Sequence, residues 1–415
     1  VVETSAVLAA VRRPVPSEGD GSQLNIDFET STTASTPVRP SERSAPMKTH
    51  AAVLWKIGDK WSVEALDVAP PAAGEVTIRV RAAGLCHSDD HNVTGDMAAP
   101  MPVVGGHEGA GEVVEVGAGV DRFEPGDRVV TFPMPACGRC QFCSRGRSWL
   151  CDLSARTMSA TSSGDRYPFT KGDTGIGAFT QLGVFSEYTT VSEAQVFALP
   201  DDIPYGAAAL VGCGVSTGYG AAVRAGDVAP GDIVIVIGAG GVGMAAVQGA
   251  AVAGAASIVV VDPVAFKRDE ALRFGATHTA ADLAEASLLV RELTWGRMAD
   301  VVLVTVGVMH GEWLGEMAEL VSKGGKLVMT AVTPASETSV SLALTPFAMS
   351  GKSLIGNLAG FTNPQADFAE IWRLYRAGRV KLDELITTTY GLDEINEGYA
   401  DMHAGRNIRG VLLFD

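Results

Sequence analysis

At 415 residues the chain is too long for one compact core and suits two domains of ordinary size, and its apolar fraction of 47% is enough to fill both. Forty-eight glycines, with many Ala and Val, point to an α/β protein with close-packed helices and buried parallel strands. A net charge of −16 repels phosphodiester backbones and anionic lipid, which excludes nucleic-acid and peripheral membrane roles.

Residues 1–46 are rich in Ser, Thr, Pro and Glu and read as a disordered extension, with Met47 opening the folded body. No charged and apolar signal of secretory type stands at the start, so a cytoplasmic location is expected, and Asn92-Val93-Thr94 reads as a chance match to a glycosylation acceptor. Three alternating runs follow, Ala51–Trp55, Trp61–Leu66 and Glu75–Arg81, broken by Pro70-Pro71 and Gly74, as strands with one wet face should be. Directly after the third comes Gly84-Leu85-Cys86-His87-Ser88-Asp89-Asp90-His91. It packs a thiol, a hydroxyl, two carboxyls and two imidazoles into six positions, the mixture wanted by a soft N/S metal site with oxygen groups to orient its ligands and move protons. His107 and Glu108 then stand among glycines that let backbone and metal approach closely.

Cys137, Cys140, Cys143 and Cys151 give C-x2-C-x2-C-x7-C, four thiolates able to close a tetrahedron around Zn²⁺ with no open position, hence a structural site. Disulfides are disfavoured in the cytoplasm, and common iron–sulfur spacings differ. Of six cysteines this leaves Cys86 and Cys213. A lone Cys is ordinarily a small hydrophobe. With Cys86 and His107 at hand, a Cys2His catalytic zinc with an open fourth position is the better account of Cys213.

The nearly uncharged stretch Met244–Val261 is interrupted by Gln248 and Ser257 and reads as a buried helix and strand, not a membrane span. Before it, the continuous β-branched run Ile233–Ile237 leads into Gly238-Ala239-Gly240-Gly241-Val242-Gly243 and an Ala-rich helix; a second strand, Ser257–Val261, ends at Asp262. In that setting G-x-G-x-x-G is a dinucleotide-binding unit, whose glycines bring a pyrophosphate to the free N–H groups of the helix N-terminus. Asp262 should accept from the ribose hydroxyls and repel a 2′-phosphate, favouring NAD, with the nearby Arg268 working against that preference. A helix over Phe266–Phe274, a strand over Asp300–Val304, a helix over Glu312–Val321, a turn at Lys323-Gly324-Gly325-Lys326, and strands over Leu327–Thr330 and Ser353–Gly356 complete a doubly wound sheet. An amphipathic helix, Phe368–Ala377, and a last strand, Ile408–Phe414, return the chain to the first domain.

With these motifs in this order, the sequence from about Met47 to Asp415 resembles the zinc-dependent medium-chain alcohol dehydrogenases. The resemblance implies an α/β protein with a GroES-like β-rich catalytic domain (47–222 and 361–415, with the zinc lobe at 137–151) and a doubly wound Rossmann domain (223–360). Two zinc ions per chain are implied, one held by Cys86, His107 and Cys213, the other by Cys137, Cys140, Cys143 and Cys151. Glu108 matches the acid near the metal, Asp89 the carboxylate holding the ligand imidazole, Ser88 the hydroxyl beside the substrate oxygen and His91 the distal end of the proton relay. Toward NAD, His87, Thr217, Lys267 and Arg409 match contact positions, beside Gly238, Gly240, Gly241, Val242, Gly243 and Asp262. His87 stands where Arg is frequent, and a neutral imidazole there would hold pyrophosphate less firmly than a fixed charge.

The implied reaction is reversible oxidation of a primary or small secondary alcohol by hydride transfer to NAD, the zinc polarising the oxygen. Phe132, Met134 and the loop around Tyr167 to Phe179 are expected to line or cover the pocket. Cys213 disfavours the polyol branch, which commonly has Glu there. Details of Gly84–His91, Ala136–Cys140 and Gly183–Tyr188 look closest to an actinobacterial branch of nicotinoproteins, in which tightly held NAD is re-oxidised in place by an acceptor such as a nitroso dye (NDMA). A dimer or tetramer through the edge strand Ser353–Gly356 is implied. The competing readings are a thiol-dependent formaldehyde dehydrogenase, which needs a cationic anchor for the thiol's carboxylate, and a non-enzymatic protein on the same fold.

Overall fold

The structure, a computed structural model, describes residues 47–97, 99–162 and 165–415; the expected disordered extension, 1–46, lies outside them. Three sheets organise the chain. A closed barrel runs β1 (Met47–Leu54), β2 (Ser62–Val68), β7 (Phe169–Lys171), β8 (Thr174–Ala178) and β4 (Val103–Val104), which returns to β1. A seven-stranded sheet has the order β10 (Val196–Ala198), β6 (Arg128–Thr131), β5 (Gly109–Val116), β3 (Glu75–Gly84), β18 (Arg409–Leu413), β17 (Ile386–Tyr390). Its seventh strand, β9 (Tyr188–Ser192), pairs with the first half of β3, while β18 takes the last three residues of that strand. The third sheet has the order β13 (His278–Ala280), β12 (Ser257–Val261), β11 (Ile233–Ile237), β14 (Ala299–Val304), β15 (Val321–Met329), β16 (Ser353–Gly356).

Every pair in that third sheet is parallel, and its order reverses between β11 and β14, as in doubly wound dinucleotide-binding folds. All five residues of β11 are buried, because strands covered by helices on both faces have no wet side. The turn expected at Lys323–Lys326 exists, but inside β15: Ala299 pairs with Val321 and Val301 with Lys326, so the intervening residues bulge out of the ladder.

Small residues set the distance between helices. One helical run spans Tyr205–Ala225 and includes α2 (Tyr205–Leu210) and α3 (Ser216–Gly220); it packs on α4 (Gly241–Ala253). A methyl on Gly218 would overlap the Val242 carbonyl oxygen, so the backbones touch there. Among the described residues this run alone is long and apolar enough to cross a membrane, but 83% of its most apolar window is buried inside the protein, which marks it as a core helix. Beneath it, Phe132, Phe197 and Phe368 meet edge to face with ring centroids 5.5–6.5 Å apart. Truncating one such ring to Ala costs about 3–5 kcal/mol.

Candidate active site

Strand register brings the first two ligand candidates together. Ala83 of β3 pairs with Gly109 of β5, and the Gly84 amide donates to the Glu108 carbonyl at 2.9 Å, so Cys86 just beyond one strand faces His107 just before the other. The third arrives on the core helix: Cys213 sits in a widened π turn, Val211–Val215, a distortion frequent at functional sites. One donor atom from each of Cys86, His107, Glu108 and Cys213 lies within 4.8 Å of the others.

The electrostatics of this group are those of a metal site. His107 Nε2 is buried with no hydrogen-bond partner, an expensive arrangement unless a Lewis acid takes its lone pair. Its Nδ1 lies 2.9 Å from Asp89 Oδ2, and Asp89 Oδ1 accepts the Gly106 amide at 2.7 Å. The Cys213 thiol donating toward Cys86 pulls Cys86 well below the ordinary thiol value, helped by the charge of His107, and the same contact with burial pushes Cys213 well above it. Burial opposes a charge on His107, yet the Asp89 carboxylate and Cys86 thiolate outweigh it and lift that imidazole. Burial pushes Glu108 up to about 7 against the pull of Arg409. Glu108 is fully buried; it accepts the Gly214 amide at 3.1 Å and pairs with Arg409. Gly84 and Gly214 leave the room for this ion pair, since a methyl on either would overlap it. The thiol pair, the orphaned imidazole nitrogen and the adjacent carboxylate fit a zinc ion.

The four remaining cysteines form a separate cluster whose sulfurs all lie within 4.8 Å of one another, with Cys137 and Cys143 3.9 Å apart. Four sulfurs ~2.3 Å from one zinc ion lie about 3.8 Å from each other, so this group fits the metal too. Backbone amides of Cys143 and Asp152 bring Cys140 down to about 6, a thiol ready to ligate. Beside the cluster, Trp149 stacks on Phe361 with centroids 5.0 Å apart.

A cleft of about 570 Å³ joins the first group to the doubly wound sheet. Cys86, His87, Ser88, His91, Cys213 and Thr217 line one end; Gly238, Gly240, Gly241, Val242, Asp262, Lys267 and Arg409 continue the wall. Gly243, of the same loop, lies behind it: a methyl there would overlap the Gly238 carbonyl oxygen, whereas one on Gly240 would meet nothing within 4 Å. Gly240 caps α4 without a side-chain partner, leaving the amides of the first turn for an anion. Asp262 holds the loop by accepting the Ala239 amide at 2.8 Å. Arg268 donates from Nη1 to the Asp262 and Pro263 carbonyls, which holds its guanidinium beside the acid. The loop and cleft fit a dinucleotide.

The expected pocket wall needs correction. Phe132 is fully buried in the aromatic core, Met134 packs on that core, and Tyr167 is half-exposed beside Gly175, so none lines the cleft. Phe179 instead stands edge-on to His107, centroids 5.5 Å apart. The apolar wall comes from Leu85, Val306, Trp313 and Met402. Asn92 is fully buried, donating to the Ser88 carbonyl and accepting from the Ala99 amide, and offers no acceptor for a glycan.

Tyr399 and His403 of α10 (Ile395–His403) also reach the site: the Tyr399 hydroxyl donates to the Cys86 carbonyl at 3.4 Å, and His403 Nε2 lies 2.8 Å from Asp90 Oδ2. No local pattern marks them, since their partners are 313 residues away. Thr305 lines the cleft too, just past β14, and donates to the Gly238 carbonyl at 2.7 Å. The strand-order reversal could have pointed to it.

These features define a zinc-binding dehydrogenase of two parts, and the chain belongs to the zinc-dependent medium-chain alcohol dehydrogenase family. Residues 72–201 match the alcohol dehydrogenase GroES-like domain and residues 241–377 the zinc-binding dehydrogenase domain. The chain is 47% identical to the NDMA-dependent alcohol dehydrogenase of Amycolatopsis methanolica over 367 residues, 88% of this chain and 99% of the relative. Among solved structures it resembles an alcohol dehydrogenase zinc-binding domain protein from Burkholderia ambifaria (TM-score 0.83, 28% identity) and the benzyl alcohol dehydrogenase of Acinetobacter calcoaceticus (TM-score 0.81, 27% identity), each match covering 89% of this chain and 100% of the other.

Proposed function

We propose that the chain is an NAD-dependent alcohol dehydrogenase that oxidises an alcohol to its carbonyl compound in the cleft between Cys86–His107–Cys213 and the Gly238–Gly243 loop. The observation that carries this is the meeting of both groups in one cleft. Zinc and nicotinamide supply the polarisation and the hydride acceptor when bound. Cys86, His107 and Cys213 would hold the metal, Asp89 fixes the His107 ring, and Glu108, tied to Arg409, is a carboxylate in reserve beside the ligands. Ser88 would accept the hydrogen bond of the alcohol hydroxyl and give up its own hydroxyl proton along the relay, which ends at His91; both line the cleft. Thr217 supports the nicotinamide end, His87 and Arg409 the pyrophosphate, Lys267 and Asp262 the ribose. Cys137, Cys140, Cys143 and Cys151 would hold the structural ion.

The division into 47–222 with 361–415 and 223–360 is supported by the sheets: the third draws all its strands from 233–356, the other two from 47–198 and 386–413. An oligomer through β16 is supported by its place at the sheet edge and by exposed Leu344, Met349 and Leu354 nearby. Six cysteines assigned to metal rather than to disulfides suit a reducing compartment, the cytoplasm. The cations of the cleft wall, Lys267 and Arg409, are the ones assigned to the cofactor, and nothing among the relatives favours the formaldehyde reading.

The Amycolatopsis relative is named for its dependence on NDMA, which supports the likeness to the nicotinoprotein branch, in which retained cofactor is re-oxidised in place. Metal analysis with an alcohol panel tests the whole reading. Two zinc ions per chain are expected, and reduced nicotinamide absorbance should rise on adding alcohol without added NAD. Turnover only with added NAD would end the retained-cofactor part, and no turnover of any alcohol would end the rest.

A further inference from the structure

Asp96, which no motif of the chain includes, is the carboxylate that touches the ring of the relay histidine. His91 is 2% exposed, and its Nδ1 lies 3.2 Å from Asp96 Oδ2. Gly95, left-handed at φ 84, ends α1 (His87–Thr94) and turns the chain so that the carboxylate comes back against that ring. The same oxygen accepts the Thr94 hydroxyl at 2.6 Å. The Asp96 backbone is gripped from the doubly wound side, where the Ala335 amide donates to its carbonyl at 3.3 Å.

We infer that Asp96 is the positioning residue of the proton relay, holding the Nδ1 proton of His91 so that the Nε2 lone pair is the one offered to the cleft, and stabilising the imidazolium that forms. This rests on the reading of His91 as proton acceptor. Nδ1 bonded to a carboxylate carries the hydrogen, which fixes the tautomer. His91 gains one proton at Nε2 from the alcohol side and becomes a cation; Asp96 stays an anion, and the pair is neutral overall until water removes the proton. Without the carboxylate, a buried imidazolium would have no counter-charge in contact with it. The Thr94 hydroxyl, joined by His91, holds the Asp96 carboxyl below its usual value, so the anion persists through the working range. The titratable groups facing this pair are His87, whose ring centroid is 6.5 Å from that of His91 and which burial keeps toward the neutral form, and His310, which pairs with Glu337 at 3.4 Å.

The test is the first-turnover rate of nicotinamide reduction against pH in holoenzyme, for wild type, Asp96→Asn, Asp96→Glu and His91→Gln. Asp96→Asn should lower the plateau about tenfold and move the rising limb to lower pH, with cofactor content, zinc content and alcohol KM unchanged, and Asp96→Glu should recover most of both. A lower plateau with an unmoved limb would make Asp96 merely structural and overturn the inference. So would an Asp96→Asn profile that overlays wild type while His91→Gln removes the limb, which leaves His91 standing. If His91→Gln keeps the wild-type limb, the reading of His91 falls and the inference with it.

Discussion

Asp89 presents both carboxylate oxygens to the segment that carries His107: Oδ1 takes the Gly106 amide at 2.7 Å and Oδ2 stands 2.9 Å from the His107 ring. Holding Nδ1 in this way leaves Nε2 to the sulfurs of Cys86 and Cys213. Asp89→Asn should therefore weaken zinc retention about 10–100-fold against a chelator while folding is kept. Timed chelation followed by metal analysis would check it, and an unchanged rate of zinc loss would remove Asp89 from this role.

Metal content should separate the two cysteine groups. Cys86→Ser is expected to leave one zinc ion per chain and no alcohol oxidation, with thermal stability near wild type. Cys140→Ser should also leave one ion, but with a lowered melting temperature, because that cluster sits beside the Trp149–Phe361 stack. If Cys86→Ser retains both ions, or turns over at the wild-type rate, the ligand assignment is wrong.

Two glycines of one loop should fail differently. Gly243→Ala overlaps the Gly238 carbonyl oxygen and should cost about 1–3 kcal/mol of stability. Gly240→Ala meets nothing within 4 Å, so the melting temperature should hold while dinucleotide binding falls at least tenfold. Calorimetric melting beside NAD titration distinguishes them; equal stability losses would contradict the geometry.

Leu354 is 41% exposed on β16, the edge of the doubly wound sheet. Leu354→Lys places a charge on that edge and should shift the protein toward monomer by light scattering. An unchanged mass would move the interface elsewhere.

Legibility in the sequence followed the range of the interactions. The glycine loop, the four-cysteine lobe and the buried strands are written in neighbouring residues, and so were readable. Cys213 was singled out by counting cysteines, though nothing local revealed that it sits in a widened helical turn. Phe132 misled, because an aromatic near a metal motif looks like a pocket wall until Phe197 and Phe368 are seen to enclose it. Tyr399, His403 and the bond from Arg409 to Glu108 depend on contacts 301–313 residues apart, which no periodicity encodes.

The pairing of β18 with the end of β3 has a consequence for biosynthesis. Arg409 reaches the Leu85 carbonyl across 324 residues, so a growing chain makes β3, Cys86 and Glu108 long before their last neighbours exist. During that interval the last three residues of one strand edge lack their ladder partner and a carboxylate destined for full burial has no counter-ion. The vulnerable moment of this enzyme is thus its assembly on the ribosome, and expression yield should respond to slowed elongation or added chaperone more than the melting temperature of the finished molecule suggests.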